Sequence, residues 1–147
     1  MTQNHVMCSS WIKHLEFILD STPFKGKKGL KRIVNAFGYS VDGIAAAWQH
    51  EAAFRQVTLL AVVGGIALVW LKPPLWSVAL IVLGHLICLI VELINSAIEA
   101  AVDHTSLKHH ELAKRAKDLG SSAQLISLIN LIFLWCIGLV ASSVFSH

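Results

Sequence analysis

Two long stretches of this chain are almost without charge. Between residues 57 and 91 the only Asp, Glu, Lys or Arg is Lys72, and from 119 to the final His147 there is none. An unpaired charge in a bilayer interior costs roughly 2.5 to 3.5 kcal/mol even on the mildest insertion scales, so runs of this kind are what a membrane core selects. The rest of the composition agrees: 55% of residues are hydrophobic and 14% charged, against about 25% charged in a soluble domain. The mean hydropathy is +0.63. The net charge of +3 is too small for a nucleic-acid footprint.

Lys72-Pro73-Pro74 divides the first run, because neither proline offers an N–H and a residue before proline disfavours the helical region. The expected architecture is therefore an all-α membrane protein with three spans, at about 52–71, 75–94 with a continuation to 103, and 123–144. The first of these reaches the ~20 residues that a crossing needs only if Arg55 and Gln56 sit among the headgroups. Gly120-Ser121-Ser122 should cap the third span upstream. Ahead of the spans, Ile33, Phe37, Ile44 and Trp48 recur as on an amphipathic helix lying on the membrane over 30–50, which Gly38 and Gly43 could break. Residues 1–29 form an extension and basic linker outside the 30–147 membrane domain, with a short amphipathic helix possible at 11–20. Lys13, Glu16 and Asp20 interrupt this extension, so the first span is expected to act as its own insertion signal.

Lys25, Lys27, Lys28, Lys31 and Arg32 precede the first span, four Lys or Arg follow the second, and the C-terminus carries none. By the positive-inside rule the N-terminus and the 104–118 loop face the cytoplasm. Trp70 and Trp76 flank the opposite turn as an aromatic belt would. Cys8, Cys88 and Cys136 are odd in number and widely spaced, and give neither a disulfide framework nor a zinc site. His85, deep in the second span, is expected to be neutral and satisfied by an interhelical hydrogen bond.

The chemistry lies at the end of the second span. At 100° per residue Glu92, Asn95, Glu99 and Asp103 fall at about 0°, −60°, −20° and +20°, forming one polar stripe on an apolar helix. Stacked carboxylates repel one another, so a divalent cation or Lys and Arg must lie among them. A solvated helix end accounts for Asp103 but not for Glu92, which directly follows Leu86-Ile87-Cys88-Leu89-Ile90-Val91. Glu51, at another membrane boundary, either pairs with Arg55 four residues on or reaches a metal shared with the stripe.

The motif Glu92-Leu-Ile-Asn95-Ser96-Ala97-Ile-Glu99-Ala-Ala-Val-Asp103, with Glu51-Ala-Ala-Phe-Arg55-Gln56 upstream and Ala116-Lys117-Asp118-Leu119-Gly120-Ser121 downstream, resembles the small prokaryotic integral-membrane diacylglycerol kinases over about 30–138. The first 22 or so residues have no counterpart in compact members. The resemblance implies a homotrimer of three-span subunits in the bacterial inner membrane that moves the γ-phosphate of MgATP to a lipid hydroxyl. It further implies Mg2+ on Glu51 and Glu99, Glu92 as the base for the acceptor hydroxyl, and Asn95 orienting that base. Arg32 and Lys117 would neutralise phosphate charge, and Tyr39, Asp103, Lys108, His109, His110 and Asp118 would help hold the nucleotide. Ala47, Trp48, Arg55, Gln56, Trp70, Ser121 and Trp135 would line the lipid groove beside Glu92.

The residues themselves are consistent with this. No G-x-x-x-x-G-K-[S/T] loop and no protein-kinase catalytic loop occurs, so phosphoryl transfer would depend on metal ions and positioned cations. A base at the hydrocarbon boundary suits a lipid acceptor, with no nucleic acid involved. The same reaction on undecaprenol is the nearest rival. A non-catalytic ion-conducting oligomer is a remote one, disfavoured by Lys117-Asp118 and the basic 25–32 segment.

Overall fold

In a computed structural model of the chain, residues 30–105 and 110–145 are described. They form four helices: α1 (Leu30–His50), α2 (Ala52–Leu71), α3 (Leu75–Thr105) and α4 (Glu111–Phe145). The 1–29 extension with its 11–20 helix, and the expected nucleotide contacts Lys108 and His109, lie outside the described residues. The chain divides into two units between Val41 and Asp42. The described part of the first is the 30–41 portion of α1, whose Ile33, Val34 and Phe37 are exposed. The helix continues through Gly38 and Gly43, where an added Cβ would meet nothing within 4 Å.

The second unit carries three helices long and apolar enough to cross a membrane. The first two match the expected spans closely. α2 ends where Pro73 forbids continuation: Lys72 turns into the left-handed region (φ 45°, ψ 49°) and its N–H closes on the Leu68 carbonyl. α3 then starts at once, with the Pro74 carbonyl accepting from Ser77 and Val78 at 2.9 and 3.1 Å; proline loses nothing there because its missing N–H is one that a first turn leaves unpaired anyway. α4 differs from expectation. It begins at Glu111, well before the apolar run at 123, and Gly120-Ser121-Ser122 lie inside it. The polar 111–122 segment is rich in Ala, Leu, Lys and Arg, all strong helix formers; hydropathy reports where a helix is apolar, not where it stops.

α3 is central, packing against α4 along most of its length and against α2 more briefly. Val57 of α2, Cys88 of α3 and Leu131 of α4 form the shared core, with Leu89, Leu128 and Trp135 packed against it. Small residues let the helices approach: a Cβ on Gly64 of α2 would strike the His85 imidazole, and one on Gly138 of α4 would meet Ile81. With no hydrophobic force separating helix from lipid, close backbone approach of this kind is a main source of cohesion in a bilayer. Outward, α2, α3 and α4 expose Leu59, Val62, Ile66, Leu83, Ile90, Ile126 and Phe133, as lipid-facing surfaces do.

Candidate active site

α3 has 31 residues and so is about 46 Å long, whereas the hydrocarbon core is about 30 Å thick. Its last three turns consequently run beyond the apolar zone, and the stripe from Glu92 to Asp103 straddles the boundary. Glu92 is the innermost member and is only 2% exposed. The charges it feels are those of Glu99 on the same helix and of Glu51 across the fold.

Glu51 is brought there by a one-residue break. Its N–H still bonds to the Ala47 carbonyl at 2.9 Å, but its backbone is extended (φ −107°, ψ 109°), and it is the N-cap of α2 without making a side-chain cap hydrogen bond. A carboxylate at an N-cap ordinarily turns back onto the first turn; this one is left available to a ligand. Arg55 does not pair with it. The guanidinium donates instead to the Trp48 and Gln49 carbonyls at 2.8 and 3.3 Å, tying down the end of α1.

Asn95, 8% exposed, donates through Nδ2 to Glu99 Oε1 at 3.0 Å. Its amide therefore orients Glu99 rather than Glu92. Its Oδ1 is buried with no hydrogen-bond partner and lies against Gly120 of α4, where a Cβ would collide with it. Gly120 thus seats the polar stripe against α4, a role that reading Gly120-Ser121-Ser122 as a cap does not reveal. One turn further out, Lys117 of α4 and Asp103 of α3 form an ion pair at 2.6 Å. Both are open to solvent, so the pair is weak and either partner is easily recruited by a ligand.

Of the other expected nucleotide contacts, His110 and Asp118 are exposed near the start of α4, and the Asp118 carbonyl accepts from Ser122 Oγ at 2.7 Å. Arg32 and Tyr39 are exposed in the first unit. Among the expected lipid contacts, Ala47 is buried, while Trp48, Arg55, Gln56 and Ser121 are exposed. Trp70 is 83% exposed at the far end of α2, away from the stripe. Trp135 is an internal strut: its indole N–H donates to His85 Nε2 at 3.3 Å with the rings edge-on at 6.2 Å and 80°. Since indole is a donor only, Nε2 is the acceptor, and the interhelical bond expected of His85 is present, while its Nδ1 is buried without a partner.

Among the described residues no three His, Cys, Asp or Glu side chains converge on one point as a self-sufficient metal site. Mg2+ does not require this: it prefers oxygen and commonly takes one or two carboxylates, with phosphates and water completing its shell. Glu51 without a cap bond, and Glu99 with one oxygen engaged by Asn95, are carboxylates of that kind.

The model for prokaryotic diacylglycerol kinases matches residues 38–139. The chain belongs to this family. Similarity to individual members is substantial: the diacylglycerol kinase of Pseudomonas aeruginosa is 50% identical over 117 residues, covering 80% of this chain and 95% of that one. The enzyme of Helicobacter pylori strain J99 is 45% identical over 108 residues, 74% of this chain and 84% of the relative. That of Escherichia coli K12 is 43% identical over 109 residues, 74% and 89% respectively. As a member of a kinase family the chain is a phosphotransferase, and the family match takes in Glu51, Glu92, Asn95, Glu99 and Lys117 while leaving Arg32 outside.

Proposed function

We propose that this chain is an ATP-dependent diacylglycerol kinase of the bacterial inner membrane, transferring the γ-phosphate of MgATP to the hydroxyl of 1,2-diacylglycerol to give phosphatidic acid and ADP. One observation carries the reading: Glu92, a fully buried carboxylate at the hydrocarbon boundary, shares its electrostatic surroundings with Glu99 and Glu51.

In this reading Glu92 accepts the proton of the acceptor hydroxyl, and only a lipid brings a hydroxyl to that depth. Glu51 and Glu99 hold Mg2+, which when bound screens phosphate charge. Asn95 fixes the rotamer of Glu99. Lys117 leaves Asp103 for the phosphates, and Asp103, His110 and Asp118 surround the nucleotide; the family resemblance adds Lys108, His109, Arg32 and Tyr39 to the residues that hold it. The lipid lies along Ala47, Trp48, Arg55, Gln56 and Ser121, while Trp135 acts through the helix packing it braces. The N-terminus and the 104–118 segment face the cytoplasm, where ATP is, and α1 lies on the membrane with Ile33, Phe37 and Trp48 toward the lipid. Three copies assemble, as the family resemblance implies.

The test is purified protein in mixed micelles with MgATP and either dioleoylglycerol or undecaprenol. Diacylglycerol should be the better acceptor, and Glu92→Gln should lower kcat by about 100-fold or more, the usual contribution of a positioned base, with its thermal unfolding unchanged. A higher specificity constant for undecaprenol would move the chain to polyprenol phosphorylation, and an active Glu92→Gln would remove the base.

A further inference from the structure

One buried polar group near the stripe has no part in the scheme above. Gln124 of α4 is 9% exposed, in the apolar run of the third span. Its amide oxygen accepts from Ser127 Oγ at 3.2 Å, and the same hydroxyl donates to the Gln124 backbone carbonyl at 2.8 Å. The serine so holds the carboxamide with its oxygen along α4. Nε2, with two N–H groups to donate, is buried without a partner. An unsatisfied donor inside a membrane protein is unfavourable, and polar groups that persist there are functional by default.

The helix register says what lies opposite. Gly120 meets Asn95, Gly84 meets Leu131, and Gly138 meets Ile81, so α3 and α4 run antiparallel. Gln124, one turn beyond Gly120, falls between the Asn95 contact and the Cys88–Leu131 core, which is the level of Glu92. Side chains on a helix lean toward its N-terminus. Because the two helices are antiparallel, these leans are opposite: from one backbone level Glu92 reaches toward the start of α3 and Gln124 toward the start of α4, each buried on its own helix.

We propose that Gln124 is a specificity-determining residue, whose unpaired Nε2–H at the level of Glu92 receives an ester carbonyl of the acceptor lipid. This rests on the kinase reading above. Both side chains are buried at this level, so a lipid hydroxyl that reaches Glu92 comes to the depth of the amide. In a 1,2-diacylglycerol the carbon next to the carbinol carries an acyl ester, so a hydroxyl seated at Glu92 brings a carbonyl oxygen within a few bond lengths. A polyprenol has an alkene carbon there and would leave the donor unpaired. Sites built to hydrogen-bond a substrate reject analogues that lack the partner group for this reason.

The experiment compares a 1,2-diacylglycerol with the 1,2-dialkylglycerol of equal chain length, which keeps the hydroxyl and both chains but has no carbonyl. Both are assayed with wild-type protein and with Gln124→Met, which preserves side-chain length and removes the donor. For wild type, kcat/KM should favour the diacyl lipid by about 3- to 10-fold, the value of one hydrogen bond. In Gln124→Met the ratio should fall to about one, through a higher KM for the diacyl lipid. The substitution removes an unpaired polar group, so the variant should fold and melt no lower than wild type. Ser127→Ala, which releases the carboxamide, should reduce the ratio in part. Equal use of both lipids by wild type overturns the ester contact alone, as does a Gln124→Met protein that keeps the preference or loses activity equally on both. A wild-type protein that phosphorylates neither lipid overturns the kinase reading and this inference with it.

Discussion

Gly120→Ala offers a sharp test of how the site is held. An alanine methyl at this position would occupy the space of Asn95 Oδ1 and lie 3.3 Å from its Cγ. The obstacle is the end of a side chain rather than backbone, since Asn95 Cα stays 3.8 Å away, so the helices need not separate; the carboxamide must turn. It can turn only by giving up its hydrogen bond to Glu99 Oε1. A hydrogen bond to a charged group contributes about 1.5 to 3 kcal/mol, which at 1.4 kcal/mol per decade corresponds to roughly 10- to 100-fold. The expected result is a loss of that order in kcat/KM for MgATP together with a higher Mg2+ requirement, while in thermal unfolding the lost hydrogen bond is partly offset by the better helix propensity of alanine over glycine, about 1 kcal/mol. The assay is ATP turnover against diacylglycerol across a Mg2+ titration, run also on Asn95→Ala and on the double variant. Asn95→Ala removes the obstacle and the hydrogen bond together, so adding Gly120→Ala to it should cost nothing further. Independent, additive losses, or a Gly120→Ala protein with ordinary Mg2+ dependence, would refute the idea that Gly120 acts through Asn95 and Glu99.

Other expectations follow from the same geometry. Leu131→Ala, in the core shared by all three spans, should lower stability by about 2 to 4 kcal/mol through lost burial and the cavity left behind, read from thermal unfolding in micelles; a loss below about 1 kcal/mol would mean that the site collapses or faces lipid. Lys72→Gly should raise the unfolding midpoint slightly, by about 0.5 kcal/mol net, because glycine removes the left-handed strain at φ 45° but loses more entropy on folding. A lower midpoint would show that the lysine side chain is an anchor in its own right. Glu99→Gln should raise the Mg2+ concentration needed for half-maximal activity by about tenfold, as loss of a carboxylate from a charge-neutralising site implies, and an unchanged Mg2+ profile would remove Glu99 from the metal site. Asp103→Asn should leave the melting temperature nearly unchanged, since the pair with Lys117 is exposed, and raise KM for ATP, since Asp103 is placed against the nucleotide; an unchanged or lower KM would leave Asp103 as no more than the resting partner of Lys117.

Much of this protein could be read along the chain. Runs without charge determined three spans, Pro73 and Pro74 determined where one ended and the next began, and helical spacing put Glu92, Asn95, Glu99 and Asp103 on a single face. Those properties are local: they depend on composition and on the period of one helix. Which groups meet across helices was decided only by the tertiary structure. It brought Glu51 into the charge field of Glu92 by a one-residue break after α1, gave the amide of Asn95 to Glu99, made Gly120 a seat instead of a cap, turned Trp135 inward onto His85, and set Gln124 level with Glu92. The period of a helix states which residues share a face; it carries no information about what that face meets, because register between antiparallel helices is chosen by the small residues through which their backbones approach.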